Sequence, residues 1–345
     1  MNDMPRRSES NLPKAPEHQG EEQPMRANQA MAEGVEFDLI RMLMARWGDI
    51  AADIGDDAAV LPSGRNDEQQ IVSTDSSVEG VHFRRPWLSA EELGWRAAAA
   101  ALSDLAAMGG IARYVLVSII LPDNWHNELA GLAGGIGAQV RSSGARIVGG
   151  NLSRGESFSV TLTVIGSARR PVPRSGARVG DLVVVTGLIG GPGAALKAWS
   201  AGEEPSAWAR QRFVHPVPRF VEASLLAEAG ASAMIDISDG LAADARHIGA
   251  ASGVRLMMDG SRLPLGPGAV AEDAWRSGEE YELLATLPVS AWERLQADWA
   301  LHTKVPISVI GRVLPELHGE GPDPSQQGKG ALDPAGGIAG HDHFR

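Results

Sequence analysis

The acidic residues near the start of this sequence have the types and spacing needed to bind a metal ion. Asp56 and Asp57 stand before the apolar run 58–61, and Asp75 follows the apolar run 71–72. Both runs are short and β-prone, and the polar segment between them is typical of a hairpin connection. Pairing of the two strands predicts that Asp57 and Asp75 lie near one another at neighbouring strand ends.

Carboxylates at such a distance repel one another unless a cation lies between them. Mg²⁺ is a hard cation that takes oxygen ligands and commonly keeps water and phosphate in its remaining positions. Aspartates also cap turns, and a single Asp-Asp or Thr-Asp pair would be explained in that way. The number of acids within residues 54–83 favours a metal site over capping alone.

A second acidic group lies where a predicted strand leads into a helix at 241–251. Serine or aspartate is the usual N-cap of a helix, and capping accounts for one of Asp236, Ser238 and Asp239. It does not account for Asp236, which stands within the apolar run. Asp104 lies near the C-terminal end of another predicted helix, where the helix dipole disfavours an anion, so either solvent or a bound cation must compensate it.

Composition limits the classes of function. The chain has 345 residues, 43% apolar and 21% charged, which is ordinary for a globular protein and long enough for two domains. Its net charge of −12 argues against nucleic acid or an anionic membrane as the main partner, but not against a phosphorylated substrate, because bound Mg²⁺ reverses the local charge. There are no cysteines, which excludes disulfides, thiolate zinc sites and cysteine nucleophiles.

The elements that must position these acids follow a mixed α/β pattern in the first half. Residues 1–32 are predicted to be a disordered tail, neither signal peptide nor membrane anchor, which predicts a cytoplasmic protein. Ser89 is expected to cap an alanine-rich helix that ends near Gly109. Further helices are predicted at 36–47 and 127–142, and strands at 114–121 (buried), 146–148 and 157–165 (half-buried).

The second half begins after the proline- and arginine-rich segment 169–174, the best candidate for a domain boundary. A buried strand at 181–186 leads into a glycine-rich turn and an alanine-rich helix. This turn is only a weak candidate for a phosphate cradle, because it matches neither the P-loop nor the dinucleotide fingerprint. The segment 277–284 places three acids beside Tyr281 and leads into a strand, and the last strand is expected at 306–313.

The order of these motifs resembles the thiamine-monophosphate kinase family, within the aminoimidazole ribonucleotide synthetase-like superfamily. The motifs run from about residue 33 to the C-terminus: GDDAAVL (55–61), STD (73–75), EGVHF (79–83), LSDLAAMG (102–109), GGN (149–151), RSGARVGD (174–181), DISDGL (236–241), GEEYEL (278–283) and DHF (342–344). The resemblance implies an α/β fold with mixed sheets and two domains. Their expected limits are 33–168, which pairs its sheet across a homodimer, and 173–315, with a Gly/Pro-rich end at 316–345.

The resemblance also implies the residues of the site, which holds several Mg²⁺ ions and ATP between the domains. The implied metal ligands are Asp57, Ser73, Thr74, Asp75, Asp104, Asn151, Asp236 and Asp239. The implied contacts with ATP are Gly150, Asn151, Arg174 and Ser238. The implied contacts with thiamine monophosphate are His82, Glu279 and Phe344. Without the resemblance, His82 would be an ordinary strand histidine and Phe344 a packing residue.

Two positions depart from the family pattern. Asn151 replaces an aspartate, so a neutral amide stands where a carboxylate is usual, and weaker metal affinity is expected. Glu280 replaces another aspartate, while the neighbouring Glu279 is retained.

The reaction implied is Mg²⁺-dependent in-line transfer of the ATP γ-phosphate to thiamine monophosphate, without a phosphoenzyme. The acceptor phosphate has a second pKa of about 6 and needs no strong general base. The lack of cysteine disfavours the selenophosphate synthetase and hydrogenase-maturation branches of the superfamily. An aminoimidazole ribonucleotide synthetase-like enzyme, and a weakly active nucleotide-binding homologue, remain alternatives.

Overall fold

A computed structural model describes residues 56–61, 68–316 and 331–332 of this chain. The predicted tail at 1–32, the predicted helix at 36–47 and Phe344 lie outside the described residues. The predicted Gly/Pro-rich end at 316–345 also lies outside them, except for Glu316 and residues 331–332, whereas the segment 277–284 and the other predicted helices and strands from residue 58 onwards are described.

The first half forms a five-stranded sheet in the order β1-β2-β5-β3-β4, in which only β3 and β4 run parallel. Its strands are β1 Ala59–Leu61, β2 Gln69–Val78, β3 Ile111–Leu121, β4 Arg146–Arg154 and β5 Ser159–Ala168. In β5, Val160, Leu162 and Val164 are buried and alternate with half-buried residues, which confirms the predicted half-buried strand.

Two helices pack against this sheet, α1 (Ala90–Ala107) and α2 (Leu129–Ser142). Ser89 and Glu92 form the capping box of α1, which confirms the predicted cap. The helices approach so closely that a Cβ on Gly135 would lie 1.9 Å from the Glu91 carbonyl oxygen. Small residues therefore set the position of α1, the helix that carries Asp104.

The strands predicted at 114–121 and 146–148 are both present, but the burial predicted for the first and the end predicted for the second were wrong. The strand at 114–121 is not buried, because Tyr114, Leu116 and Ile120 are exposed on the side that neither helix covers. The strand predicted at 146–148 continues to Arg154, because parallel pairing with β3 holds the backbone through the glycines at 149–150. Exposed apolar side chains thus occupy two neighbouring strands.

The second half forms a six-stranded antiparallel sheet in the order β11-β8-β10-β6-β9-β7. Its strands are β6 Leu182–Thr186, β7 Ala233–Asp236, β8 Val254–Asp259, β9 Leu283–Leu287, β10 Ile307–Pro315 and β11 Ala331–Leu332. Its helices are α3 Gly191–Ser200, α4 Ala207–Val214, α5 Phe220–Ala229, α6 Leu241–Ser252, α7 Ala271–Arg276 and α8 Val289–His302. The predicted strands at 181–186 and 306–313 are confirmed within two residues.

The two halves share packed surfaces. Ala106 and Ala107 of α1 pack in the same buried cluster as Leu226 and Met234 of the second half. The connecting segment is bonded to both sides, since Val172 N–H donates to the Met108 carbonyl and Met234 N–H to the Pro173 carbonyl. The C-terminal end of α1 therefore lies against β7, an edge strand of the second sheet.

Candidate active site

Three buried or half-buried aspartates from separate elements meet between the two halves. Asp57 precedes β1, Asp104 lies in the last turn of α1, and Asp236 ends β7. One carboxylate oxygen from each lies within 4.8 Å of the others. The structure thus brings together acids that are far apart in the sequence, at a spacing a single cation can bridge.

Strand pairing places Asp57 in this group. β1 and β2 pair antiparallel with Ala59 opposite Val72, which confirms the predicted hairpin. Asp75 lies within β2 and not after it, because β5 pairs along the whole of β2. Ser73, on the same face as Asp75, donates a hydrogen bond of 2.5 Å from Oγ to Asp104 Oδ2.

The charges in this cluster are poorly compensated by the protein. Burial, and then repulsion by Asp57, raises the pKa of Asp236 to about 8. Burial, followed by Asp236 and Asp57, raises the pKa of Asp104 well above its usual value. Arg174 compensates Asp57, donating from Nη2 to Oδ1 at 2.8 Å and from Nε to Oδ2 at 3.2 Å.

These donors fit a divalent cation. Among the described residues, Asp236 Oδ2 is buried without a hydrogen-bond partner. A buried carboxylate oxygen without a partner is costly, and a hard cation with oxygen ligands would satisfy it. The set contains only oxygen donors, which suits Mg²⁺.

A second group of possible ligands lies at the start of α6, formed by Asp239, Asp244 and His247, again within 4.8 Å. Burial, and then the charge of Arg174, lowers the pKa of His247 to about 3, so its imidazole is neutral at neutral pH. Asp239 was a predicted metal ligand, whereas Asp244 and His247 were missed. Their spacing of three residues on one helix face was the signal available in the sequence.

The segment 278–282 lies against the loop that follows β7. Glu279 N–H donates to the Ser238 carbonyl at 2.8 Å. A Cβ on Gly278 would lie 1.7 Å from that same oxygen, so the glycine is needed for the close approach. The predicted ATP contact Ser238 and the predicted substrate contact Glu279 are therefore neighbours.

Glu279 forms an ion pair with Arg96 of α1, with 2.5 Å between Arg96 Nη2 and Glu279 Oε2, and accepts a hydrogen bond from the Tyr281 hydroxyl. Burial would raise the pKa of Glu279, but Arg96 outweighs this, and the pKa lies below its usual value. The carboxylate is therefore ionised at neutral pH. Of the three acids predicted beside Tyr281, only Glu279 bonds to its hydroxyl.

The other two acids of this segment bind elsewhere. Glu280 Oε1 accepts a hydrogen bond of 2.5 Å from Gly190 N–H at the start of α3, so the glycine-rich turn holds a carboxylate of the chain itself. Burial raises the pKa of Glu280 to about 8. Glu282 accepts hydrogen bonds from Arg212, Arg219 and Thr186. Both arginines were missed by sequence reasoning.

His82 lies in the turn after β2, where Val78 N–H donates to its Nδ1 at 3.1 Å. A positive charge on this ring would act to lower the pKa of Glu279, so the two predicted substrate contacts are near one another. This backbone contact leaves the proton of a neutral ring on Nε2.

Thr74 and Asn151 are not brought to the aspartates through their side chains. Thr74 Oγ1 lies 3.1 Å from Thr163 Oγ1, on the face of β2 opposite Ser73. Asn151 Nδ2 donates to Ser153 Oγ at 2.9 Å. Its strand is three strands from β2 in the sheet, a lateral separation of about 14 Å. The roles of Gly150 and Asn151 therefore stay predictions.

Within the ranges 56–61 and 68–316, no helix combines the length and the apolar character needed to cross a membrane.

A family model for the AIR synthase related protein N-terminal domain matches residues 55–168, and one for the C-terminal domain of AIR synthase related protein matches residues 178–322.

Curated relatives match over most of the chain. Thiamine-monophosphate kinase of Mycobacterium tuberculosis (strain ATCC 25618 / H37Rv) is 37% identical over 245 residues, which cover 67% of this chain and 73% of the relative. Thiamine-monophosphate kinase of Bacillus subtilis (strain 168) is 35% identical over 298 residues, which cover 81% and 91%. The solved structure of AaThiL complexed with AMPPCP and TMP has a TM-score of 0.73 and 30% identity, covering 81% of this chain and 91% of that chain.

Proposed function

This chain belongs to the thiamine-monophosphate kinase family, and we propose that it transfers the γ-phosphate of ATP to thiamine monophosphate, giving thiamine diphosphate and ADP. It is an ATP-dependent kinase: its curated relatives are named as kinases, and the related solved structure of AaThiL is complexed with AMPPCP. The observation that carries the proposal for this site is the convergence of Asp57, Asp104 and Asp236 from both halves of the molecule. Kinases need such an anionic metal site because both of their substrates are anions.

Each side chain has a defined part in this proposal. Asp57, Asp104 and Asp236 would hold Mg²⁺, with Ser73 orienting Asp104 and Asp75 nearby on the same face of β2. When bound, Mg²⁺ offsets the negative charge of the triphosphate and of the transferred group. Arg174 and Ser238 would contact ATP. Asp239, with Asp244 and His247 beside it, would hold a further ion.

The transfer itself requires no protein nucleophile. An oxygen of the acceptor phosphate forms the new bond to the γ-phosphorus, the bond from that phosphorus to the β–γ bridging oxygen breaks, and ADP leaves. The acceptor phosphate, with a second pKa of about 6, is already largely ionised at neutral pH. Catalysis by this chain is then positioning and charge compensation, and no phosphorylated protein forms.

We also propose that two copies of the chain pair through β3 and β4. Ile147, Val148 and Leu152 are 48%, 52% and 58% exposed on the edge strand β4, and Tyr114 of β3 is 46% exposed. An exposed, apolar edge strand favours pairing with another chain. Asn151 lies in this strand, so a second copy would cover the predicted ATP contact.

We place the enzyme in the cytoplasm.

The test is an assay with purified protein, Mg²⁺-ATP and thiamine monophosphate, in which thiamine diphosphate is followed. Asp236→Asn is expected to lower kcat by about 100-fold or more, because one preorganised charged group is lost. Asp239→Asn is expected to shift the Mg²⁺ dependence to higher concentration. Thermal unfolding without Mg²⁺ checks that both variants fold.

ATP turnover that is independent of thiamine monophosphate, or a trapped phosphoenzyme in rapid-quench experiments with labelled ATP, would contradict the proposal. Phe344 stays a predicted substrate contact. Removal of the last residues should raise the KM for thiamine monophosphate more than the KM for ATP, and equal effects would count against that contact.

A further inference from the structure

The carboxylate of Glu279 is held through only one of its two oxygens. Both the Arg96 guanidinium and the Tyr281 hydroxyl bind Oε2. Neither the Tyr281 hydrogen bond nor the shortest Arg96 contact uses Oε1. The side chain keeps 16% of its surface exposed, so the group is not sealed inside the protein. One oxygen is therefore anchored and the other is available.

Arg96 is committed to this contact. It is 1% exposed, and its guanidinium carbon lies 4.2 Å from the centroid of the Phe213 ring. No described residue accepts a hydrogen bond from its Nε. Burying a guanidinium costs free energy unless the group is paired, and among the residues that the structure describes Glu279 supplies the pairing carboxylate. The pair also joins the two halves, since Arg96 lies in α1 and Glu279 precedes β9.

The backbone fixes the same carboxylate. Glu279 and Tyr281 have φ angles of 68° and 51°, in the left-handed region that non-glycine residues rarely adopt. Hydrogen bonds to the 237–238 backbone hold this conformation, from Glu279 N–H to the Ser238 carbonyl and from Tyr281 N–H to the Ile237 carbonyl. Strained backbone that the surroundings hold in place is typical of ligand-binding segments.

The substrate chemistry indicates what the free oxygen binds. In thiamine monophosphate the hydroxyl is esterified, so the amino group of the pyrimidine ring is the one N–H donor outside the phosphate. An ionised carboxylate can only accept hydrogen bonds. The thiazolium cation is a poorer partner, because the charge of Glu279 is already compensated by Arg96.

We propose that Arg96 is a positioning residue which, with Tyr281, holds Oε2 of Glu279 so that Oε1 accepts a hydrogen bond from the pyrimidine amino group of thiamine monophosphate. This inference rests on the proposed function and adds the group by which the organic part of the substrate is recognised. Arg96 orients the Glu279 carboxylate, which accepts the hydrogen bond, and Arg96 does not itself touch the reacting phosphates.

The experiment compares thiamine monophosphate with oxythiamine monophosphate, in which a carbonyl replaces the amino group. The wild-type enzyme should prefer the amino compound by roughly 10- to 100-fold in kcat/KM, the effect of one hydrogen bond to a charged group. In Arg96→Gln this ratio should fall towards one, with a higher KM for thiamine monophosphate and an unchanged KM for ATP. Arg96→Lys, which keeps the charge, should retain part of the preference.

Two further variants separate positioning from folding. Tyr281→Phe removes only the hydroxyl and should lower the ratio less than Arg96→Gln. Adding Arg96→Gln to Glu279→Gln should cause no further loss of preference, because the two residues act as a unit.

An unchanged ratio in Arg96→Gln, with kcat lowered equally for both compounds, would overturn the inference and leave Arg96 a structural residue. The same holds if the wild-type enzyme does not distinguish the two compounds. Binding of both compounds to each variant is also measured by calorimetry. Absence of turnover in the wild-type enzyme would contradict the proposed function, while the calorimetric preference would still decide the role of Arg96.

Discussion

At the scale of single residues, the site is defined by buried charges whose partners differ. Asp236 and Asp104 are surrounded by other acids, and their pKa values lie above the usual range for that reason and because of burial. Glu279 and Glu282 are paired with arginines, and their pKa values lie below it although burial opposes this. Asp104 and Asp236 therefore favour binding of a cation. The negative charges of Glu279 and Glu282 are already compensated by arginines of the protein.

Glu280 gives a prediction about pH and stability. Its folded-state pKa of about 8 exceeds the ordinary value of 4.5, so the folded protein binds more protons than the unfolded chain between these limits. This group therefore lowers the free energy of unfolding as pH rises from about 4.5 to about 8. Glu280→Gln keeps an acceptor for Gly190 N–H and removes the titration. As pH rises across this window, the free energy of unfolding of Glu280→Gln should therefore increase relative to that of the wild type by at least about 1.4 kcal/mol.

Urea unfolding at pH 5 and pH 8, without Mg²⁺, measures the difference. Glu272→Gln is the control, because Glu272 is a largely exposed glutamate on the nearby helix α7. If Glu280→Gln and the control show the same change between the two pH values, the assigned burial of the Glu280 charge is wrong.

At the scale of elements, α1 connects most of the site. It carries Arg96 near its middle and Asp104 in its last turn, so its position fixes both the substrate-side ion pair and the acidic cluster. Its packing against α2 depends on close backbone contact at Gly94 and Gly135. A displacement of α1 by a fraction of an ångström would change both groups together.

Gly135→Ala tests this dependence. The new Cβ would lie 1.9 Å from the Glu91 carbonyl oxygen and 2.7 Å from Trp95 N, both backbone atoms that cannot turn away. The variant should lose about 1–3 kcal/mol of stability and also activity, because overpacking moves α1. Thermal unfolding and the kinase assay measure the two effects.

The matched control is Gly134→Ala on the same helix, where a Cβ would meet nothing within 4 Å. It should raise stability by about 0.4–1 kcal/mol, because alanine restricts the unfolded chain and favours helix. If Gly134→Ala and Gly135→Ala lost the same amount of stability, the close packing of α1 against α2 would not be the cause of the loss.

At the scale of the whole molecule, the two sheets meet at the acidic cluster and leave an apolar edge on the far side of the first sheet. We expect a dimer in solution, which Leu152→Glu should convert to monomer, because a buried unpaired carboxylate at an apolar interface is costly. Leu301→Glu is the control, since Leu301 is 79% exposed on α8 of the other half. Light scattering coupled to gel filtration measures the mass, and an unchanged mass for Leu152→Glu would contradict this pairing.

Local features of this fold could be predicted because they depend on near neighbours in the chain. The hairpin that carries Asp57, the Ser89 cap of α1 and the half-buried β5 each follow from the spacing of residues that are close together in the chain. The burial of β3 and the extent of β4 could not be predicted in this way. Both depend on which elements cover these strands or pair with them, and an apolar run in the sequence does not identify those elements.

The sequence by itself determined the acidic motifs, their order and the family to which they belong, since these are properties of residue type and spacing. Only the tertiary structure decided that Asp104 and Asp236 share one cluster with Asp57, and that Glu279 is anchored by Arg96. The reason is physical. Each of these contacts joins residues from separate elements, and their distance is set by how helices and sheets pack, not by any pattern within either segment.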